Sequence, residues 1–117
     1  MAELHIDVHN ESAVATVLLR GELDAYSAPR LRQVLDPLIK ATDPAILVDL
    51  TALEYLDSAG LGVLVAALKQ VTDRDGQFGV ISPSPIVARV LQVTGLFKLF
   101  TIFSDPAEAQ ASFGLAA

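Results

Sequence analysis

Ala45-Ile46-Leu47-Val48-Asp49-Leu50 is apolar at every position but one. A strand with one wet face alternates, so an unbroken run predicts a strand covered on both faces, as in the middle of a parallel sheet. Thr51 to Asp57 reads as a connection. Beyond it Leu61, Leu64, Val65 and Leu68 recur at i, i+3, i+4 and i+7, which predicts a helix from Ser58 to about Thr72 with that stripe turned inward. Asp73-Arg74-Asp75-Gly76 ends the helix, and Phe78, Val80 and Ile81 form another strand. Strand, helix and strand in this order make a parallel pair joined by a right-handed crossover. The fold class is therefore α/β.

Working outward, Leu4, Ile6 and Val8 alternate with His5, Asp7 and His9, a half-buried strand. Asn10-Glu11-Ser12 reads as a turn into a second strand, Ala13 to Arg20, with apolar residues on both faces. Gly21 to Tyr26 is read as a loop, and Ser27 as the cap of a helix running to about Lys40, with Pro29 in its first turn. On the other side, Ser82-Pro83-Ser84-Pro85 opens a short helix bearing Val87, Val90 and Leu91, closed by Gly95 as a left-handed cap. Leu99 to Phe103 is a last strand. Asp105-Pro106-Ala107-Glu108 then joins an N-cap acid, Pro at N1 and Glu at N3 ahead of a helix towards Phe113. The order β-β-α-β-α-β-α-β-α predicts a mixed sheet, its opening hairpin antiparallel and its remainder parallel, incompletely covered by helices.

At 117 residues, 52% hydrophobic and 19% charged, residues 1–117 are read as one globular domain. There is no cysteine, hence no disulfide and no thiolate metal site. No apolar run approaches the roughly 18 residues of a membrane span, and the first residues lack the pattern of a signal peptide. A cytoplasmic protein with no membrane insertion is expected. The net charge of −6, with its basic residues scattered, argues against direct nucleic-acid binding.

Asp57-Ser58-Ala59-Gly60-Leu61-Gly62 is the segment with functional content. It places a serine hydroxyl among small residues at a helix start, where unpaired N–H groups and the helix dipole tolerate an anion such as phosphate. Ala59, Gly60 and Gly62 leave the backbone open to close approach by another protein. Two other readings stand beside this one. Ser58 is equally a residue type that caps helices, and the glycines, each costing roughly 1 kcal/mol in a helix, could serve internal packing instead.

Catalytic constellations fail. Leu56 stands where a Gly-x-Ser-x-Gly elbow needs glycine. His5 and His9 lie four residues apart on one strand, roughly 13 Å, too far to converge on a serine or a metal. No Gly-x-x-x-x-Gly-Lys loop exists. Asp49 lacks the acidic pair and the lysine that a phospho-aspartate receiver requires, and is read as a strand-terminal acid bonded to nearby amides. No enzyme, metal or cofactor is expected.

Gly21-Glu22-Leu23-Asp24, Leu47-Val48-Asp49-Leu50, Tyr55 to Gly62 and Thr94-Gly95-Leu96-Phe97-Lys98, in that order, resemble the bacterial anti-sigma-factor antagonists of the STAS domain family. The resemblance spans essentially the whole chain. It implies a mixed sheet with helices packed mainly on one face. It also implies a partner-switching role. An anti-sigma factor that doubles as a serine kinase is bound by the unmodified antagonist, which frees the sigma factor. The kinase phosphorylates the serine corresponding to Ser58, which breaks the complex, and a serine phosphatase resets it. Asp24 corresponds to an acid near that serine; its bland reading is a loop-stabilising or helix-capping residue. Asp24, Asp57, Ser58, Ala59, Gly60 and Gly62 are the expected partner-binding residues. STAS domains also serve in transport, lipid-trafficking and stress-signalling complexes, where the chain would be a constitutive binding module.

Overall fold

Leu47 faces away from Ile46 and Val48, and all three are fully buried, so the central strand is covered on both sides as its unbroken apolar run requires. The computed structural model describes residues 3–81 and 83–113. Its elements are β1 His5–Glu11, β2 Val14–Leu23, α1 Ala28–Ile39, β3 Ala45–Leu56, α2 Ser58–Asp73, β4 Gln77–Ile81, α3 Pro85–Thr94, a 3-10 turn Leu96–Lys98, β5 Thr101–Phe103 and α4 Pro106–Phe113. The five strands lie side by side in chain order, β1 antiparallel to β2 and every later pair parallel.

That monotonic order dictates the layers. Each crossover steps in the same direction, and a right-handed crossover in one direction always lands on the same face. Leu31 and Leu35 of α1, Leu64 and Ala67 of α2, and Val87 and Leu91 of α3 therefore meet Val17, Leu19, Ile46, Val48 and Val80 in one core. α4 alone lies opposite, setting Ala109 and Phe113 on Val14, Leu47, Ile81 and Phe103. The Phe103 and Phe113 rings meet edge to face, 5.7 Å between centroids. α4 is anchored at its start by Glu108 N–H donating to Asp105 Oδ1 (2.8 Å), while the Glu108 carboxylate accepts from the Ser104 hydroxyl (2.6 Å). Towards β1 this second face is open: Thr16 and Leu18 are half-buried and Arg20 exposed.

Four elements depart from the pattern reading, three in their bounds and one in its buried face. β3 continues through Leu56, and β2 through Leu23, so much of each expected loop is strand. The cause is a pair of irregularities in their register, between Leu18 and Arg20 and between Gly21 and Glu22. These turn Leu50, Leu53 and Leu56, three apart in sequence, into the same core. β5 is only Thr101–Phe103, with Leu99 outside it and exposed. α2 is rotated from its expected stripe: Gly60, Val63, Ala67 and Val71 join Leu61 and Leu64 in burial, whereas Val65 and Leu68 are only half-buried. α3 is capped by Ser84 and ends on Gly95 at φ 75; Ser82, read as part of its opening, lies outside the described residues.

The β1–β2 hairpin turns through Ser12 and Ala13, both left-handed at φ 52 and 66. Two-residue hairpins of this kind favour Asn-Gly, because an L side chain at positive φ costs about 1–2 kcal/mol. Replacing Ser12-Ala13 by Asn-Gly is expected to stabilise the domain by about 1 kcal/mol in urea unfolding at unchanged m. No gain would show that the turn is held by something other than its own residues.

Candidate functional site

β2 and β3 end together, Leu23 opposite Leu56, and deliver the β2–α1 loop and the start of α2 to one end of the sheet. Asp57 makes the junction. Its extended backbone (φ −113, ψ −175) is that of an N-cap, and its Oδ1 accepts from the N–H groups of Ala59 (3.0 Å) and Gly60 (3.2 Å). Its Oδ2 accepts from Ala25 N–H at 3.3 Å, and its own N–H donates to the Leu23 carbonyl at 3.3 Å. One carboxylate thus ties the α2 start to the loop before α1. Ser58 follows as the first helical residue, exposed, and no contact of the cap runs through its hydroxyl.

The loop has its own lock. Asp24 Oδ1 accepts from the Ser27 N–H and the Ser27 hydroxyl, each at 2.9 Å, and Asp24 N–H donates back to Ser27 Oγ at 3.0 Å. Ser27 adopts helical dihedrals and makes no side-chain cap bond, so its role is this clasp rather than the helix cap expected of it. The backbone N–H of Ser27, then its hydroxyl, hold the Asp24 carboxyl below its ordinary value of 3.8. A carboxyl depressed in the folded state adds stability above its unfolded pKa and loses it as pH falls through the folded one. The loop clasp is therefore intact near neutrality and loosens only below pH 3.8.

The two glycines of the segment differ. Gly60 is buried, and a Cβ there would lie 2.6 Å from Leu23 Cγ and 2.8 Å from Leu56 Cδ1. Its smallness serves internal packing, against the expectation of an open backbone at that position. Gly62 is exposed, and a Cβ there would meet nothing within 4 Å. Ala59 is half-buried. The outward surface is thus Ser58 and Gly62, beside the loop that Asp57 and Asp24 hold.

Pattern reading passed over Tyr26, which stands in that loop 93% exposed, and Tyr55, 44% exposed near the end of β3. An aromatic ring in a turn between helix-breaking and capping residues, outside any apolar periodicity, was the available signal for Tyr26. His5 and His9 are exposed on β1. Among the described residues there is no cluster of three or more metal-ligating side chains, and no helix long and apolar enough to cross a membrane.

The STAS domain family model matches residues 5–109. The chain belongs to the STAS domain family. It is 32% identical over 107 residues to the anti-sigma F factor antagonist of Paenibacillus polymyxa, a match covering 91% of this chain and 92% of that protein. It is 32% identical over 99 residues to the anti-sigma-B factor antagonist of Staphylococcus aureus, covering 85% and 92%. The crystal structure of an anti-sigma factor antagonist from Mycobacterium paratuberculosis has the same fold, with a TM-score of 0.85 at 31% identity over 94% of this chain and 93% of that one. The family expected from the motifs, and the mixed STAS sheet with helices mainly on one face, both hold.

Proposed function

We propose that this STAS domain is an anti-sigma-factor antagonist switched at Ser58. Unmodified, it binds an anti-sigma factor that is also a serine kinase and so releases a sigma factor; phosphorylated, it lets go; a serine phosphatase restores it. It acts in the cytoplasm by binding, without catalysis or cofactor. The observation that carries this reading is the division of labour between Asp57 and Ser58: the cap is made by Asp57, which leaves an exposed serine at N1 free to be modified. The names of the relatives at 32% identity support it.

The test is direct. Incubation with ATP and extract of the source cells, followed by mass measurement, should place one phosphate on Ser58. Ser58→Ala should capture the anti-sigma factor as the wild type does, and Ser58→Glu should not. An unmodified Ser58 with equal capture by both variants would instead mark a constitutive binding module of a transport, lipid-trafficking or stress-signalling complex.

Gly62 and Asp24 give sharper secondary tests. Alanine is preferred over glycine in a helix by about 1 kcal/mol, and space at Gly62 is open. Gly62→Ala should therefore raise the melting temperature while lowering partner affinity; a variant both more stable and equally tight would remove Gly62 from the interface. Asp24→Asn keeps an oxygen to accept from Ser27 but loses the charge. It should leave circular dichroism unchanged while slowing phosphorylation or weakening binding, and unchanged rate and affinity would reduce Asp24 to the clasp alone.

A further inference from the structure

β1 is an edge strand whose seven residues, His5-Ile6-Asp7-Val8-His9-Asn10-Glu11, are exposed except for half-buried Ile6. Such an edge offers a row of unpaired backbone groups to another strand. Its charges carry the information. Read outward from Val8, Asp7 is mirrored by His9 and His5 by Glu11, so the strand is complementary to itself when turned end for end. We infer that two copies of this domain pair antiparallel through β1 about a two-fold axis at Val8, forming one continuous sheet, with pairing strengthened as the histidines protonate.

Backbone phase agrees with that register. Glu11 and Val14 close the two-residue hairpin, and a closing pair is hydrogen-bonded in such turns. By alternation His5, Asp7, His9 and Glu11 direct their backbone groups to β2, while Ile6, Val8 and Asn10 direct theirs to the free edge. A two-fold at Val8 sets Val8 against itself and Ile6 against Asn10, using those outward groups on both strands. Asp7–His9 and His5–Glu11 then fall at the non-hydrogen-bonded positions, where facing side chains are closer. Val8, 38% exposed, meets its own copy on the helix-bearing side.

Other registers are worse: a two-fold at Asn10 would set His9 against Glu11 but run Val8 into the left-handed Ser12 of the turn. A slip of two residues in either direction opposes Asp7 to itself or to Glu11. A longer slip towards the N-terminus needs the Leu4 carbonyl, which already accepts from Arg30 at 3.0 Å. Within one protomer His5, Asp7, His9 and Glu11 face Arg20, Leu18, Thr16 and Val14 of β2. Beyond Leu18 lies Asp49 of β3, and from α4 Gln110 reaches Thr16. Arg20 stands opposite His5 within the protomer, a like charge beside the His5–Glu11 pair, so the Asp7–His9 pair is the stronger half of the device.

Seven residues a side is well below the roughly 20–30 of a standard interface, so the association is weak and concentration-dependent. Histidine takes up its proton between about pH 8 and 5 while carboxylates stay ionised. Protonating both histidines also lowers the repulsive net charge from −6 to −4 per chain. Sedimentation of the whole chain should show a dimer whose Kd falls at least about tenfold between about pH 7.5 and 5.5. Val8→Pro removes an outward N–H and should give a monomer with wild-type circular dichroism. His9→Glu, which opposes Glu to Asp7, should also be monomeric, and Asp7→Lys with His9→Glu should dimerise again with a weaker pH dependence, only the His5–Glu11 pairs still titrating. A wild type that stays monomeric at pH about 5.5 and about 1 mM overturns the inference. So does a dimer that survives His9→Glu, or one that the double exchange fails to restore; these hold even if Val8→Pro fails to fold.

Discussion

Phosphorylated at Ser58, the domain should bind its anti-sigma factor at least about tenfold more weakly, a loss of 1.4 kcal/mol or more, while melting within about 4 °C of the unmodified protein. The two halves of this expectation come from different places. Phosphate adds a charge of about −1.5 to −2. On the free domain it stays hydrated beside the α2 N-terminus, which offsets about 0.3–1 kcal/mol, against repulsion from Asp57. The helix behind it is held by Leu61, Val63, Leu64, Ala67 and Val71, all buried; each large apolar side chain there contributes about 1.5–3 kcal/mol. A local imbalance of about 1 kcal/mol cannot lift that face from the sheet. Inside a complex the same phosphate would be enclosed against a surface shaped for a hydroxyl, where an unpaired charge costs several kcal/mol. Isothermal titration and melting curves on the two forms decide it. Loss of helix or of cooperative melting on phosphorylation would replace occlusion by a conformational switch.

Gly21→Ala should cost about 3 kcal/mol or more, the largest stability loss expected of any single methyl group here. Gly21 sits at φ +100, and a Cβ on it would lie 2.1 Å from the Glu3 carbonyl oxygen. Backbone strain of about 1–3 kcal/mol adds to the clash, and the clashing atom is main chain, which cannot swing away. The midpoint of thermal unfolding should fall by more than about 10 °C. Gly60→Ala presses on side chains instead, Leu23 and Leu56, and should cost about 1–3 kcal/mol. If Gly21→Ala melted within a few degrees of wild type, the close approach of β2 to residue 3 would be wrong.

What the sequence disclosed, and what it hid, follows from how each feature is encoded. The double cover of β3 is written in single letters, because a strand wetted on either face could not carry Ile46, Leu47 and Val48 in succession. The α4 cap is equally local, with Asp105, Pro106 and Glu108 at fixed offsets. Leu53 and Leu56 escaped because register irregularities shared with β2 break the period of two on which strand reading depends. The inward face of α2 was misjudged because Gly60 and Ala67 are buried by being small, and hydrophobic periodicity gives small residues little weight. Asp57 and Ser58 are both good caps; the extended backbone at Asp57 settles the choice, and that is a property of how β3 ends. Gly60 and Gly62 are the same letter with opposite surroundings, Leu23 and Leu56 on one and open space on the other.

β3 also divides the molecule's backbone protection. From Ile46 to Asp49 it is laddered on both sides, by β2 and by β4; from Ala52 to Leu56 only β2 remains. On the other side of that outer stretch stands Ser84, its hydroxyl on the Leu53 carbonyl at 2.7 Å. Opening the outer stretch breaks one ladder and leaves the double-laddered half intact, so amide exchange there should proceed by a sub-global opening cheaper than unfolding. The Ser58 segment is thus carried on the half of the strand that can breathe alone. A partner that grips this end would slow exchange in residues 52–56 and 20–23 together, while the amides of Ile46 to Val48 keep the rate set by the fold as a whole.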